Sequence, residues 1–559
     1  MRKFFFIITV FIIALFKANA QSIPVGSPVF DDYYRREQLL GKVDSNFSFT
    51  IRPLFPVQNK KGGDVFDQDS SLKKDHWVEA GPISFAKNLG KFQILPLTWQ
   101  QQYNSDHPYG WNDGPMIPAR GYQTMVSGGF YLKFGPLSVQ LRPEFVYADN
   151  QQFNGFATGH SATEVANYLS YYREIDWPES YGTNAYRKTF LGQSYIRLTF
   201  DPISLGVSSE NLWWGPGIRN SLILSNNAPG FKHITLNTIR PIKTYVGDFE
   251  AQIIAAHLDA SNFAPLSFGT VPDPIKRTNQ RYFTGININY HPKWVQGLTI
   301  GLIRTFDAYQ KDVSGFAAYF PFFTPYSKQA TVGQDAGIGD PFPRDQTTSM
   351  YLRWLFTKAQ AEVYFEYGLN DNSYNLNDFI GTPDHSRAYL FGIRKMIPIG
   401  GKKDQHILVS GEITQLSQSI DRITRNSGGW YLHYQITEGH TNEGQILGAG
   451  TGSGGNLQSM NISWVSGLKT LGLSFDRYEH NIDFPYSHDI DGNSGKWVDF
   501  ALGLQGEWNY KNLMFNAKIQ HIKSLNYEWV LKDYDPSKYY IPHNDVYNLH
   551  AELGITFRF

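Results

Sequence analysis

Residues 547–559 read Y-N-L-H-A-E-L-G-I-T-F-R-F. Tyr547, Leu549, Ala551, Leu553, Ile555, Phe557 and Phe559 fall on one face, and Asn548, His550, Glu552, Thr556 and Arg558 on the other. A period of two is the signature of a β-strand whose faces meet different surroundings. A strand can cross lipid when its sheet closes on itself, because every backbone group then finds a partner within the sheet. The stretch therefore suggests one stave of a membrane barrel, apolar outside and polar within.

The same alternation recurs upstream. Leu137, Val139, Leu141, Phe145 and Tyr147 oppose Gln140, Arg142 and Glu144. Ala361, Val363, Phe365 and Tyr367 oppose Gln360, Glu362, Tyr364 and Glu366. Strands are expected at 92–102, 122–134, 137–149, 190–200, 203–211, 234–246, 249–258, 281–290 and 298–308. The series continues at 347–356, 360–369, 387–397, 406–418, 457–466, 471–479, 497–509, 512–526 and 546–559. This makes about 18 strands, an even number as bacterial outer-membrane barrels require.

Connections give an independent test. Tight turns (Gly135-Pro136, Asp201-Pro202, Gly247-Asp248, 291–297, Lys358-Ala359, Lys511) alternate with long segments at 103–121, 150–189, 212–233, 259–280, 309–346, 370–386, 419–456, 480–496 and 527–545. Short periplasmic turns and long extracellular loops give that rhythm; a soluble sandwich has no reason to keep it. The expected fold is thus an all-β, transmembrane, antiparallel outer-membrane barrel over 91–559, with both termini periplasmic.

Composition agrees. Aromatics make up 16% of 559 residues, with 51 glycines, and mean hydropathy is below zero. After the N-terminus no run approaches the roughly 18 apolar residues of a spanning helix. Lys plus Arg and Asp plus Glu both number 50, so nothing marks a nucleic-acid partner. Met1-Arg2-Lys3, the apolar run Phe4–Phe16 and Ala18-Asn19-Ala20 read as a signal peptide over 1–20. The chain has no cysteine and hence no disulfides, and Gln21 at the mature start excludes a lipoprotein anchor. Residues 21–90 read as a small element near the periplasmic mouth and partly in the lumen. It has a helix at Asp31–Gly41, an alternating stretch Val43–Ile51, and a polar Gly/Lys/Asp-rich tract over 55–90.

One loop stands apart. Glu210–Thr235 reads E-N-L-W-W-G-P-G-I-R-N-S-L-I-L-S-N-N-A-P-G-F-K-H-I-T. Trp213 and Trp214 lead into Gly215-Pro216-Gly217, a turn signal, and Arg219, Asn220, Asn226 and Asn227 follow among apolar residues. Counting strand polarity back from the C-terminus places this loop at the outer mouth. Flat aromatics with amides and a guanidinium suit a surface for polar rings. The alternatives are tryptophans that mark a membrane interface, or a motif that only holds the loop together.

The run W-W-G-P-G-I-R-N-S-L-I-L-S-N-N-A-P resembles the signature of the Wzi family of capsule assembly proteins. So do D-Y-Y-R-R-E-Q-L-L-G-K at 32–42, P-Y-G-W-N-D-G-P-M-I-P-A-R-G-Y-Q at 108–123 and T-I-R-P-I-K-T-Y at 238–245. The resemblance implies an 18-stranded outer-membrane barrel that binds capsular or exopolysaccharide without catalysis and helps attach or assemble it at the cell surface. Family members can carry a helical bundle that plugs the periplasmic end; here only 31–41 reads as helix. The terminal Phe559 resembles the signal read by the barrel assembly machinery. A monomer in outer-membrane lipid is expected.

Sugars offer apolar C–H faces and many hydroxyls, matched by aromatic platforms and by Asn, Gln, Arg and His. The candidate glycan-contacting or supporting residues are Trp213, Trp214, Arg219, Asn220, Asn226 and Asn227, with Trp111, Trp430 and Tyr431 from neighbouring loops. Other loop aromatics are Tyr168, Tyr171, Tyr172 and Trp177, on a short helix after Ser161 that a capping box with Glu164 would start. Tyr319, Phe320, Phe322, Phe323 and Tyr326 follow, then His433 and His440 beside Arg422 and Arg425. No G-x-S-x-G, H-E-x-x-H or phosphate loop is present. Asp489–Gly495 resembles half a calcium loop but lacks its central Gly and closing Glu, so no metal or cofactor is expected. A substrate-specific porin for oligosaccharides would share every barrel feature and is the competing reading.

Overall fold

The computed structural model describes residues 21–55, 64–79, 81–263, 277, 279–323, 344–370, 376–401, 404–420, 428–488, 496–530, 537 and 544–559. The signal-peptide segment, the calcium-like stretch 489–495, Tyr326, Arg422 and Arg425 lie outside them.

Eighteen staves close into one antiparallel barrel. They are Gly90–Asn104 (β1), Gly121–Phe134 (β2), Leu137–Leu141 with Glu144–Ala148 (β3), Tyr186–Phe190 with Tyr195–Phe200 (β4), Ile203–Ser208 (β5), His233–Thr238 (β6), Gly247–Leu258 (β7), Arg281–Pro292 (β8) and Leu298–Tyr309 (β9). Next come Arg344–Phe356 (β10), Ala361–Asn370 (β11), Arg387–Pro398 (β12), Gln405–Gln415 (β13), Asn456–Ser466 (β14), Lys469–Glu479 (β15), Val498–Tyr510 (β16), Leu513–Leu525 (β17) and Val546–Phe557 (β18). β18 pairs with β1 to seal the ring, His550 opposite Asn104 and Phe557 opposite Leu97. The alternation expected of β18 is present: Tyr547, Leu549 and Leu553 face outward, while Asn548, His550 and Arg558 are buried inside.

Staves β3 and β4 are interrupted. Pro143 cannot donate to the ladder, and opposite it the 191–194 segment leaves the sheet. β4 starts at Tyr186 rather than 190, β5 stops at Ser208, short of the expected 211, and β6 stops at Thr238 rather than 246, with Ile242–Lys243 pairing separately with β7.

The N-terminal segment occupies the lumen. Helix α1 (Pro28–Leu39) begins earlier than expected because proline is tolerated in the first helical turn, and it stops at Gly41 with φ +72°. Val29, Phe30, Tyr33 and Leu39 are buried. On its polar side Arg35 Nε donates to Glu362 Oε1 of β11 at 2.8 Å, and Arg394 of β12 pairs with Asp32. Glu362 also accepts from Arg353 Nε at 2.6 Å, so one enclosed carboxylate joins the helix to two staves. The alternation at Val43–Ile51 does not give a strand of that length; only Ile51–Arg52 pair as β-structure. The rest is held by the wall: the Ser48 N–H donates to Glu250, and Asn289 donates to Ser48 and Thr50.

Candidate functional site

The 209–232 connection turns down into the barrel instead of standing above it. Gly215 adopts φ +124°, and a Cβ on Gly217 would lie 1.9 Å from the Asn220 carbonyl oxygen, so the G-P-G turn tolerates no side chain there. Trp213 and Trp214 then pair, antiparallel, with Arg52 and Ile51. A loop from one end of the barrel and the N-terminal segment from the other thus meet in a two-stranded ladder inside it.

Each signature side chain has a defined seat. Trp214 is fully buried, its Nε1 donating to Gln252 Oε1 at 2.8 Å. Trp213 carries the Arg52 guanidinium 4.9 Å above its ring. The backbone N–H groups of Ile218, Arg219 and Asn220 converge on Glu412 of β13 at 2.7–3.1 Å. The Asn220 amide donates to Thr414 at 3.0 Å. Arg219 meets Asp476 at 3.0 Å and lies 4.2 Å over Trp111. Asn226 donates to the Asn112 carbonyl and accepts from Asn211; Asn227 donates to the Ile446 carbonyl at 2.9 Å. Trp430 donates to the Ser386 carbonyl, and the Tyr431 hydroxyl donates to the Leu222 carbonyl while accepting from the Ala449 N–H.

The structure does bring all nine candidates into one connected network, but enclosed. Trp214, Trp430 and Tyr431 are at most 1% exposed. The expectation that the signature loop presents these side chains at the outer mouth is corrected: they face one another and the lumen wall. The physical reason is the breadth of an 18-stave ring, whose own side chains do not fill the lumen. Asn112 of the 103–121 loop joins the network, and residues not singled out from the sequence complete it: Glu412, Arg52, Asn211 and Arg35, which donates to the Pro216 carbonyl at 2.8 Å. Arg35 stood inside the D-Y-Y-R-R motif, the one signal that pointed to it.

Between this plug and the β13–β18 wall a cavity of about 370 Å³ remains. Trp213, Arg219 and Asn226 line it beside Arg52, Ser410, Glu412, Asp476 and Lys518. A layer of Tyr109, Trp111, Leu457, Tyr478, Ala501 and Ile522 packs at the long-loop end of those staves. Charges of the plug are mutually adjusted. Burial pushes the Asp31 carboxyl up to about 7, with Arg52 opposing. Burial also acts against Asp32, yet Arg394 and Arg36 hold it at about 2. Burial penalises the Arg219 cation too, but Asp476 outweighs it and raises its pKa above the ordinary arginine value. Burial lowers His440 to about 4, so it is neutral and its Nε2–H donates to the Ile223 carbonyl at 2.7 Å.

Over the plug the long loops form an aromatic layer. Helix α2 (Ala162–Tyr171) carries the expected capping box between Ser161 and Glu164. Phe156 stacks between His160 and Tyr168 at 4.0 Å, and Tyr172 stacks on Trp177. The segment 431–439 runs alongside 174–176 through the His433 N–H to the Glu174 carbonyl and the Asp176 N–H to the Glu438 carbonyl. Among the described residues no group of three or more His, Asp or Glu is arranged to hold a metal ion.

Residues 100–528 match the family described as capsule assembly protein Wzi. The structure is similar to that of Wzi, described as an outer membrane protein involved in group 1 capsule assembly in Escherichia coli and a carbohydrate-binding β-barrel. The TM-score is 0.57 at 14% identity, covering 97% of this chain and 99% of that one. OccK8 (OprE) of Pseudomonas aeruginosa gives a TM-score of 0.39 at 8% identity, covering 85% of this chain and 99% of that one. OccAB2 of Acinetobacter baumannii gives 0.40 at 10% identity, covering 85% and 100%. No curated protein matches the sequence.

Proposed function

The chain belongs to the Wzi family of capsule assembly proteins, and from that premise we propose that it binds surface polysaccharide at its outer loop face and helps assemble or hold it at the cell surface. It is an outer-membrane barrel of the Gram-negative type. One observation carries the reading against a conducting alternative. The lumen is occupied from both ends, and the two plugs meet in the Ile51–Arg52 and Trp213–Trp214 ladder. A barrel filled in this way offers a surface rather than a passage.

In this reading the signature residues act from beneath. Trp213, Trp214, Arg219, Asn220, Asn226 and Asn227, with Trp111, Trp430 and Tyr431, fix the loop layer so that polar and aromatic groups above it stay in place. A prearranged surface loses little entropy on binding, and a polymer engages it repeatedly, so weak single contacts suffice. The protein works as a monomer in outer-membrane lipid, is delivered by the barrel assembly machinery through Phe559, and performs no turnover.

The test has three parts. Purified protein should retain capsular polysaccharide extracted from the cells that carry it, without releasing new reducing ends. In planar bilayers it should be silent; large, steady, glycan-blocked currents would establish the porin instead. Trp214→Ala, Arg219→Ala and Asn227→Ala, each confirmed as an assembled barrel, should lower surface retention. Normal retention in all three would remove the loop from the function.

A further inference from the structure

We propose that Tyr434 is a sugar-stacking platform of the outer face, set on His433 in a turn tied to Glu174. The inference rests on the polysaccharide-binding reading and assigns it a contact point.

Large exposed aromatic rings are uncommon where nothing covers them, and Tyr434 is 67% exposed. Others have a different setting. Tyr245 and Trp294 lie at the short-turn end beside lipid-facing staves, where aromatic girdles belong, and Phe316 and Phe323 pack within their own 316–323 cluster. Tyr434 instead stands at the tip of a turn whose flanks, Tyr431, Leu432 and Ile436, are buried in the plug. It therefore sits over the lumen, away from the lipid face.

Its ring is also held. It stacks on His433 with centroids 5.3 Å apart and planes 25° from parallel. His433 is fixed in turn: its Nδ1 accepts the N–H groups of Gln435 at 3.2 Å and Ile436 at 2.9 Å. Its own N–H donates to the Glu174 carbonyl at 3.0 Å. Because Nδ1 accepts, the imidazole proton sits on Nε2. That backbone link places exposed Arg173 and half-buried Glu174 beside the turn. A flat ring with a fixed orientation, backed by an imidazole on one side and open on the other, matches a pyranose. The C–H face of the sugar covers the ring. An ordinary exposed tyrosine would have to be ordered on binding; this one is ordered already.

The experiment measures binding of capsular polysaccharide, extracted from the cells that carry the protein, to detergent-solubilised full-length protein by biolayer interferometry. Tyr434→Ala should weaken binding about tenfold, the size of one aromatic contact. Tyr434→Phe, which keeps the ring, should bind like wild type, and so should Trp294→Ala, which removes an exposed aromatic at the short-turn end. Because Tyr434 is exposed, the variants keep their fold, and unchanged heat-modifiable migration checks this. Wild-type affinity in Tyr434→Ala would overturn the platform and leave the polysaccharide reading standing. Absence of binding by the wild-type protein would overturn both.

Discussion

Replacing Trp214 by alanine tests whether the plug is a packed core or a loop resting in a wide barrel. The indole is fully buried, and a Cβ on Gly285 would come within 3.0 Å of its ring. The wall has thus been hollowed to glycine to admit it. Emptying such a seat costs about 3–5 kcal/mol. Losing the bond to Gln252 Oε1 adds about 1 kcal/mol. The total of about 4–6 kcal/mol falls on the ladder that joins the two plugs. The reporting amides are those of Trp214, which donates to Leu224, and Gly215, which donates to Thr50. Hydrogen exchange of a peptide spanning these residues should accelerate by about a thousandfold or more. Trp214→Phe, which keeps most of the volume, should give a much smaller effect. Gly285→Ala should destabilise the wild type but cost less beside Trp214→Ala, which removes one close neighbour of its methyl and leaves Thr305 Cγ2 at 2.7 Å. Unchanged exchange in Trp214→Ala would refute the packed-plug account, and with it the claim that the signature supports the loop layer from below.

Glu362→Gln leaves Arg35, Arg353 and Arg394 without the enclosed carboxylate they share. A cost of about 3–5 kcal/mol should appear as faster tryptic cleavage within 35–42, and cleavage at the wild-type rate would contradict it. The two aspartates of α1 should act oppositely on acid stability. Asp31, raised from 3.8 to about 7 in the folded chain, keeps a proton that the unfolded chain has lost, so it weakens folding as pH rises through that window. Asp32, lowered to about 2, stabilises above 3.8 and loses its contribution as pH falls toward 2. Asp31→Asn should therefore gain stability relative to wild type between pH 4 and 8 in denaturant titrations, and a parallel pair of curves would disprove this. Ser161→Ala removes the capping box of α2 and should cost about 1 kcal/mol, read as faster exchange of the Glu164 and Val165 amides.

The staves were legible because lipid imposes one rule on all of them: close every backbone bond and alternate every side chain. Leu549 and His550 obey it whatever the loops do, and the departures fall where Pro143 breaks the ladder and in β6, which stops at Thr238 instead of 246. The N-terminal segment was illegible for the opposite reason. The Ser48 N–H and the Thr50 carbonyl bond to the side chains of Glu250 and Asn287, and the Ser48 and Thr50 hydroxyls accept from Asn289, partners some two hundred residues away, so no local period records them. The signature loop was visible as an unusual composition, yet its direction was not. Asn220, Asn226 and Arg219 would be at home on a wet surface. Inside a barrel whose inward side chains are polar, they are equally what a core requires, because each wall group such as Glu412 or Gln252 needs a donor. An apolar plug would leave those groups unsatisfied at about 1–3 kcal/mol each. The plug is polar because the wall is polar, and the wall is polar because its other face meets lipid. The same membrane constraint that made β18 readable therefore disguised the core as a surface.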